Sequence, residues 1–254
     1  MNNGKSKPWY SFVPSLFTSS NLVCGVLATY FSLEGKINIA CVLIFIAALF
    51  DFVDGFAARL LKVSGDFGKE LDSLADLISF GMVPGAMLFF IQKSHLTEFS
   101  GSVSFTLIQW IFLLSPILIP VFSALRLAKF NIDIRQQSEF IGLPTPANAL
   151  FFAALCYTFL YKPDHFLNII NQPVILSIFI FLFSYLLVAE IPLFALKFKT
   201  FKWNGNALRY IFILCSVLLF LLLGIPGFSA IILLYIILSL FRNFTNRSQG
   251  ISLH

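Results

Sequence analysis

Four aspartates in a largely apolar sequence are the residues best suited to chemistry. They are Asp51, Asp54, Asp72 and Asp76, within the stretch DFVDGFAARLLKVSGDFGKELDSLAD, whereas the whole chain is 58% hydrophobic and 11% charged. A lone carboxylate beside long apolar runs is energetically expensive. The spacings of three and four residues place each pair on a single face of a predicted helix. Two such faces brought together would form an acidic cup.

The ligand types in this stretch predict which groups the cup binds. Carboxylate oxygens without thiolates or imidazoles favour hard cations such as Mg²⁺ or Mn²⁺. Four carboxylates are more than one ion normally needs, so the sequence predicts a site for two ions. Between the pairs, Gly55, Ala58 and Gly68 leave room for a ligand, and Arg59 offers a planar cationic fork. This combination favours a metal-bound phosphoester.

The stretch from Asp51 to Asp76 resembles the signature of the CDP-alcohol phosphotransferases, D-x2-D-G-x2-A-R-x8-G-x3-D-x3-D. All eight fixed positions match without a gap, which is far more specific than a short glycine-rich motif. The alternative is a structural role, in which the carboxylates form ion pairs with Arg59, Lys62 and Lys69. Ionisable residues within membrane spans are usually functional, and this favours the site.

The resemblance implies a helical bundle, commonly a homodimer, that transfers a phosphatidyl group from CDP-diacylglycerol to an alcohol and releases CMP. It implies that the four aspartates, Asp51, Asp54, Asp72 and Asp76, hold two Mg²⁺ or Mn²⁺ ions. By the same resemblance, Asp76 is the base that takes the proton from the attacking hydroxyl. The residues expected to contact the cytidine nucleotide are Gly55, Ala58, Arg59, Gly68, Thr18 and Asn21.

Three further segments resemble the bacterial membrane-integral phosphatidylserine synthases of the same superfamily. They are PSLFTSSNLVCG (Pro14–Gly25), DLISFGMVPGA (Asp76–Ala86) and RLAKFNIDIRQQSEFIGLPTPANA (Arg126–Ala149). This resemblance, over roughly the first 150 residues, implies L-serine as the acceptor. It also places the third segment beside the site, where Arg126 and Arg135 are expected to hold an anionic group of a substrate. The alternative for both arginines is a solvated cluster of positive charge.

The apolar runs predict an all-α, polytopic transmembrane bundle of about eight spans. The spans are expected at about 20–34, 37–61, 69–92, 104–128, 146–161, 173–194, 207–224 and 226–241. Residues 1–19 are expected to form an interfacial segment, and Thr18, Ser19, Ser20 and Asn21 are candidate caps of the first span. The catalytic core is expected to cover residues 20–161, and the additional spans and tail residues 162–254.

The positive charges predict the orientation of the bundle. With both termini in the cytoplasm, Lys36, Lys93 and Lys162 are the outer basic residues and the other fourteen of the 17 Lys and Arg face the cytoplasm. The acidic cup then lies at the cytoplasmic face of the inner membrane. The net charge of +5 is explained by this topology, and we expect no nucleic-acid partner because no basic stripe with interleaved aromatics is present.

Three alternative functions stay open on the sequence alone. Another enzyme of the superfamily would use glycerol 3-phosphate, inositol or choline as the acceptor. A divalent-cation transporter would more naturally place its acids at mid-membrane on interrupted helices, whereas these acids crowd one face. A structural membrane protein would show no metal dependence. No histidine begins an H-x-K motif, and this excludes the phosphohistidine route of an unrelated class of phosphatidylserine synthase.

Overall fold

The structure is a computed structural model that describes residues 12–63, 65–100, 105–133, 140–162, 169–194 and 206–248. Its helical segments are α1 (Val13–Leu33), α2 (Ile37–Leu60), α3 (Asp66–Asp76), a π-helical segment (Leu77–Met82), α4 (Val83–Ser100), α5 (Leu107–Leu114), a 3₁₀ turn (Ser115–Ile117), α6 (Leu118–Ile132), α7 (Thr145–Tyr161), α8 (Pro173–Val188), α9 (Ala207–Leu223) and α10 (Gly227–Ser248). Two short strands, β1 (Phe140–Ile141) and β2 (Pro192–Leu193), pair antiparallel.

Helix lengths and composition fit a membrane bundle. The stretches long and apolar enough to cross a bilayer are Val13–Leu33, Ile37–Leu60, Asp66–Thr97, Leu107–Ile132 and Gly227–Phe244. Three shorter apolar helices, α7, α8 and α9, accompany them. Together these eight segments correspond to the eight predicted spans, and the predicted polytopic helical bundle is confirmed. Many large apolar side chains lie on the outer surface, as expected where helices face lipid.

The first helix begins at Val13, well before the predicted start near residue 20. Pro14 lies in its first turn, where the missing N–H of proline is not needed. The four predicted cap residues therefore lie inside the helix. The hydroxyls of Ser19 and Ser20 donate to carbonyl oxygens four residues earlier. The capping prediction is wrong because Ser and Thr can satisfy their hydroxyls on the backbone within a helix as well as at its start.

The core is built from small residues and phenylalanines. Helix α1 packs along α2, and α7 contacts α2, α4, α10 and the π-helical segment. The buried Ala40 and Ala47 on α2 are residues of the size that allows helix backbones to approach closely. Phe151 of α7 stacks on Phe183 of α8 with ring centroids 4.0 Å apart. Helix α7 is thus a central element against which the site helices are supported.

Helices α3 and α4 belong to one long helical stretch that the π-helical segment interrupts directly after Asp76. A π-helical turn contains more residues than an α-helical turn and often occurs at functional sites. Before the segment, α3 is amphipathic and carries Asp72 and Asp76. After it, α4 buries Met87 and Ile91 in the core. The segment therefore lies between a polar helix that carries site residues and an apolar helix that packs in the core.

The strand pair ties the chain after α6 to the chain after α8. Gly142 has a φ of 76°, and its N–H donates to the carbonyl of Ile191 at 3.0 Å. Helix α10 reinforces this contact because the hydroxyl of Tyr235 donates to the carbonyl of Phe194 at 3.0 Å. A salt bridge of 2.8 Å from Lys129 to Glu190 also joins α6 to this region. These contacts fix the end of α6, the helix that carries Arg126.

Candidate active site

The predicted acidic cup lies where the last turns of α2 meet α3. Asp51 of α2 and Asp72 and Asp76 of α3 each offer a carboxylate oxygen, and the three oxygens lie within 4.8 Å of one another. Asp76 is buried, with 8% of its surface exposed. Helix α1 packs against both α2 and α3. The structure therefore brings together one member of the first aspartate pair and both members of the second.

Asp54 lies beside this group and is held by α1. Its side chain is buried, and its Oδ2 accepts a hydrogen bond of 2.7 Å from Oγ1 of Thr18. One turn later on α1, Nδ2 of Asn21 donates to Oδ1 of Asp76 at 3.3 Å. We expected Thr18 and Asn21 to contact the nucleotide from sequence alone. The structure places both of them on carboxylates, one from each pair.

In the part of the chain that the structure describes, Arg59, Lys62 and Lys69 form no ion pair with the cup. Two ion pairs occur within the described residues, Lys36–Glu34 and Lys129–Glu190. Arg59 donates through Nε to the carbonyl of Gly55 at 2.9 Å. Lys69 donates to the carbonyl of Asn131 at 2.8 Å. The structural alternative, in which neighbouring basic residues neutralise the aspartates, therefore lacks its ion pairs in the described part of the chain.

The donor atoms of the cup fit divalent cations. Among the described residues, Oδ1 of Asp72 and Oδ1 of Asn21 are buried without a hydrogen-bond partner. Buried polar oxygens are normally partnered, so an unpartnered carboxylate oxygen in a group of like charges is suited to bind a cation. Oxygen-only ligands are those that Mg²⁺ and Mn²⁺ prefer. The residues present therefore suit the metal ions predicted from the sequence.

The larger of two cavities at the site has a volume of about 500 Å³. Asp54 and Asp72 line it together with Thr18, and small residues form much of the remaining wall. The small residues that line it and belong to the signature are Gly55, Ala58 and Gly68. Arg59 does not lie among the lining residues in the described part of the chain. This is the side on which the sequence predicts a nucleotide.

Gly55 and Gly68 have no structural reason to be glycine. A Cβ added at either position would meet no atom of the described chain within 4 Å. Neither residue has a positive φ, so the left-handed backbone that favours glycine is not required at either position. The space beside them belongs to the cavity. We infer that these glycines keep the cavity wide enough for a ligand.

A second, smaller cavity of about 320 Å³ shares Asp72 and Lys69 with the first. Its wall includes Asp76, Arg126 and Thr145. Arg126 is buried, with 7% of its surface exposed, and its Nε has no hydrogen-bond partner among the described residues. A buried guanidinium with an unpartnered N–H at a cavity wall is suited to an anionic ligand. Arg135, the other arginine expected at this place, lies outside the described residues.

The cavities are also lined by residues that the sequence did not assign to the site, among them Lys69, Asn131 and Thr145. Lys69 follows Gly68 of the signature directly, and this adjacency is the available signal. Asn131 and Thr145 fall within the Arg126–Ala149 segment, where the letters alone do not distinguish them from their neighbours. Their places at the cavity become visible only in the fold, where residues of α3, α6 and α7 line the same cavity.

Comparison with known proteins gives the family. Residues 11–185 match the sequence model of the CDP-alcohol phosphatidyltransferases. The chain belongs to the CDP-alcohol phosphatidyltransferase family. The match includes all four aspartates and Arg126, and it ends within α8. The chain is therefore a membrane-embedded transferase, and helices α9 and α10 lie beyond the residues that the family model matches.

Relatives of this CDP-alcohol phosphatidyltransferase cover most of its length. It is 33% identical over 192 residues to the CDP-diacylglycerol–serine O-phosphatidyltransferase of Bacillus subtilis, covering 76% of this chain and 92% of that protein. It is 32% identical over 239 residues to the enzyme of the same name from Helicobacter pylori, covering 92% of each chain. It is also 33% identical over 165 residues to the archaetidylserine synthase of Methanothermobacter thermautotrophicus, covering 64% of this chain and 65% of that protein.

Proposed function

We propose that the protein transfers the phosphatidyl group of CDP-diacylglycerol to L-serine, giving phosphatidylserine and CMP. The observation that carries this proposal is that Asp72 lines both cavities. A transferase needs a donor and an acceptor to meet at one reacting atom. Two cavities that share a carboxylate offer that arrangement. The names of the Bacillus subtilis and Helicobacter pylori relatives support serine as the acceptor.

The larger cavity is the place for the cytidine diphosphate part of the donor. Gly55, Ala58 and Gly68 leave space there for a bulky ligand. Asp54 and Asp72 line the same cavity and would face the diphosphate through metal ions. Thr18 keeps the Asp54 carboxylate oriented by donating to it. Arg59 lies one turn after Gly55 and contributes positive charge near the cavity.

Two Mg²⁺ or Mn²⁺ ions would be held by Asp51, Asp54, Asp72 and Asp76. When bound, such ions neutralise the diphosphate and stabilise the charge that develops on departing CMP. The protein's part is to keep four carboxylates together in an apolar surrounding. Helix α1 does this for two of them, through Thr18 on Asp54 and Asn21 on Asp76.

Asp76 is the residue we assign to proton transfer. It belongs to the close carboxylate group and also lines the smaller cavity. In the reaction, the serine Oγ–H proton moves to Asp76 while the oxygen forms a bond to the phosphorus of the phosphatidyl group. The bond from that phosphorus to the bridging oxygen of CMP breaks, and CMP leaves with the electron pair. A carboxylate touching both the metal site and the acceptor cavity is placed for this role.

Arg126 is the residue we assign to acceptor binding. Its guanidinium is buried at the smaller cavity and lies in the electrostatic field of Asp76. A serine carboxylate on Arg126 would hold the amino acid with its hydroxyl toward Asp76. Arginine is suited to this because its planar fork binds carboxylates through two parallel hydrogen bonds.

The distribution of basic residues supports a cytoplasmic position for the site, at the inner membrane. Asp51 and Asp54 end one predicted span and Asp72 and Asp76 begin the next, so all four lie near one membrane face. Placing that face in the cytoplasm satisfies the positive-inside rule. It also gives CMP and serine access from water. A homodimer stays a prediction from the family resemblance.

The experiment that tests the proposal is CMP release by the purified protein in detergent micelles containing CDP-diacylglycerol. L-serine, glycerol 3-phosphate, inositol and choline are supplied in separate reactions with Mg²⁺ or Mn²⁺. We expect release with L-serine and formation of phosphatidylserine. A wide preference for another acceptor would show that the acceptor assignment is wrong within the family. No release with any of them would defeat the proposed reaction.

A further inference from the structure

Lys69 occupies the junction of the two cavities. It lies on α3, one turn before Asp72, and these two residues line both the larger and the smaller cavity. Residues three apart on a helix share a face. The ammonium of Lys69 and the carboxylate of Asp72 therefore border the same passage between donor and acceptor. Lys69 is not one of the eight fixed positions of the signature.

A hydrogen-bond network holds Lys69 in this position. Its Nζ donates to the carbonyl oxygen of Asn131 in the last turn of α6, at 2.8 Å. Nδ2 of Asn131 donates to Oγ of Ser73 at 2.9 Å, and Oγ of Ser73 donates to the carbonyl of Lys69 at 3.1 Å. An ammonium group has three N–H donors. With Asn131 as its hydrogen-bond partner among the described residues, Lys69 can still donate to a ligand.

We propose that Lys69 binds the phosphate that is transferred, and that Asn131 and Ser73 are positioning residues for its ammonium. This inference rests on the proposed function, because it takes the donor to be a CDP-linked phosphate. The phosphorus must be accessible from both cavities, and Lys69 and Asp72 are the two residues that line both. The acceptor carboxylate already has Arg126. The transferred phosphate is the other anionic group at the junction, and Lys69 is placed to bind one of its oxygens.

The charge pattern supports this assignment. The carboxylates of the cup repel a phosphate unless cations intervene, and metal ions would lie among the carboxylates themselves. Lys69 provides positive charge from the rim of the same passage, on the same helix as Asp72. A hydrogen bond between an ammonium and a phosphate is stronger than one between neutral groups. Lys69 thereby favours a phosphate over a neutral group at the junction.

The test compares the binding of CDP and CMP, two nucleotides that differ by one phosphate. CDP carries a terminal phosphate at the place of the phosphate to be transferred, whereas CMP lacks it. Calorimetric titration of each nucleotide, in the presence of Mn²⁺, gives the ratio of their dissociation constants for wild type and for Lys69→Gln. Glutamine is neutral but can still donate to the carbonyl of Asn131, so the link between α3 and α6 is kept.

We expect Lys69→Gln to weaken CDP binding about tenfold, the scale of one hydrogen bond to a charged group, and to leave CMP binding unchanged. Lys69→Arg should keep the preference for CDP because it keeps the charge. The matched control is Lys129→Gln, on α6 and paired with Glu190, and it should change neither nucleotide. Equal weakening of CDP and CMP, or weakening of neither, overturns the assignment and leaves Lys69 as a link between helices.

A second variant tests the positioning residues. Asn131→Ala removes the amide that donates to Ser73 but keeps the backbone carbonyl that accepts from Lys69. We expect a smaller loss of CDP preference than in Lys69→Gln, and an unchanged preference overturns the positioning role. If Lys69→Gln fails to fold, the ratio of the CDP and CMP dissociation constants can still be compared between wild type, Asn131→Ala and Lys69→Arg. The titrations contain no serine, so they test the role of Lys69 independently of the acceptor. If wild type shows no serine-dependent CMP release, the proposed function is wrong, but the result of the titrations still decides the role of Lys69.

Discussion

The two cavities at the site differ in how the sequence builds them. The larger one owes its width to glycines, since Gly55 and Gly68 have no side chain and leave space that no described atom fills. The smaller one is shaped by side chains that are present, above all the buried Arg126. A bulky nucleotide needs room, whereas a small amino acid needs a specific charged contact. Under the proposed function, this difference predicts that the donor is selected by shape and metal contacts and the acceptor by charge.

The largest expected effect comes from replacing a carboxylate of the cup, above all Asp72, which lines both cavities. Asp72→Asn, and likewise Asp51→Asn or Asp54→Asn, should abolish CMP release while the protein still inserts and folds, because the metal ions lose a charged ligand. The matched control is Asp66→Asn, an exposed aspartate in the first turn of the same helix. Excess EDTA should abolish the activity of wild type, and added Mg²⁺ or Mn²⁺ should restore it. Full activity in EDTA would rule out the metal mechanism.

Asp76→Asn separates chemistry from binding. Three carboxylates and the diphosphate oxygens would still hold the ions, so we expect binding of metal and CDP-diacylglycerol to stay largely intact. Turnover should fall by roughly 10²- to 10⁴-fold, as when a general base is lost. The measurement is calorimetric titration of metal and nucleotide into Asp76→Asn, compared with the turnover number of the same variant. If Asp76→Asn instead loses nucleotide binding and excess metal restores part of its rate, then Asp76 acts mainly as a metal ligand.

Arg126→Ala tests the acceptor side alone. We expect the apparent KM for L-serine to rise about 10- to 100-fold, the scale of a lost hydrogen bond between charged groups. The apparent KM for CDP-diacylglycerol should stay close to that of wild type. Lys129→Ala, one turn later on α6, is the control because Lys129 pairs with Glu190 instead of lining the cavity. A rise in the KM for both substrates contradicts the division of roles between the cavities.

Gly55→Val tests the donor side and has the smallest expected effect. The new side chain would project into open space, so we expect no loss of thermal stability. It would compete with the nucleotide for that space and raise the apparent KM for CDP-diacylglycerol about tenfold. The KM for serine should not change. An unaltered KM for the donor would mean that the nucleotide does not occupy the space beside Gly55.

Local pattern was enough to predict that the aspartates and the signature glycines lie close together, whereas the surroundings of Asp76 and Lys69 depend on tertiary contacts. The aspartates, Gly55 and Gly68 lie within one stretch of sequence whose helical spacing fixes their relative positions. The contact of Asn21 with Asp76 joins residues 55 positions apart, and the contact of Lys69 with Asn131 joins residues 62 apart. Such pairs have no spacing rule, because they depend on how separate helices pack.

The start of α1 shows a different limit of sequence reasoning. Polar residues from Thr18 to Asn21 are typical of a helix start in a soluble protein. Here they lie within a span. Thr18 and Asn21 face the carboxylates of α2 and α3, whereas Ser19 and Ser20 donate to carbonyl oxygens of α1 itself. The contacts with the carboxylates explain why Thr18 and Asn21 occur within a membrane-spanning helix.

The π-helical segment after Asp76 gives the third span one place where a change in length is tolerated. Each residue of an α-helix advances the chain by about 100° around the axis, whereas a π-helical turn accommodates an extra residue in about one turn. A one-residue deletion between Leu77 and Met82 would therefore permit an ordinary helix while Asp76 stays at the site and Met87 and Ile91 stay in the core. The same deletion in the first turn of α4 would rotate one end relative to the other and remove either Asp76 from the site or Met87 and Ile91 from the core.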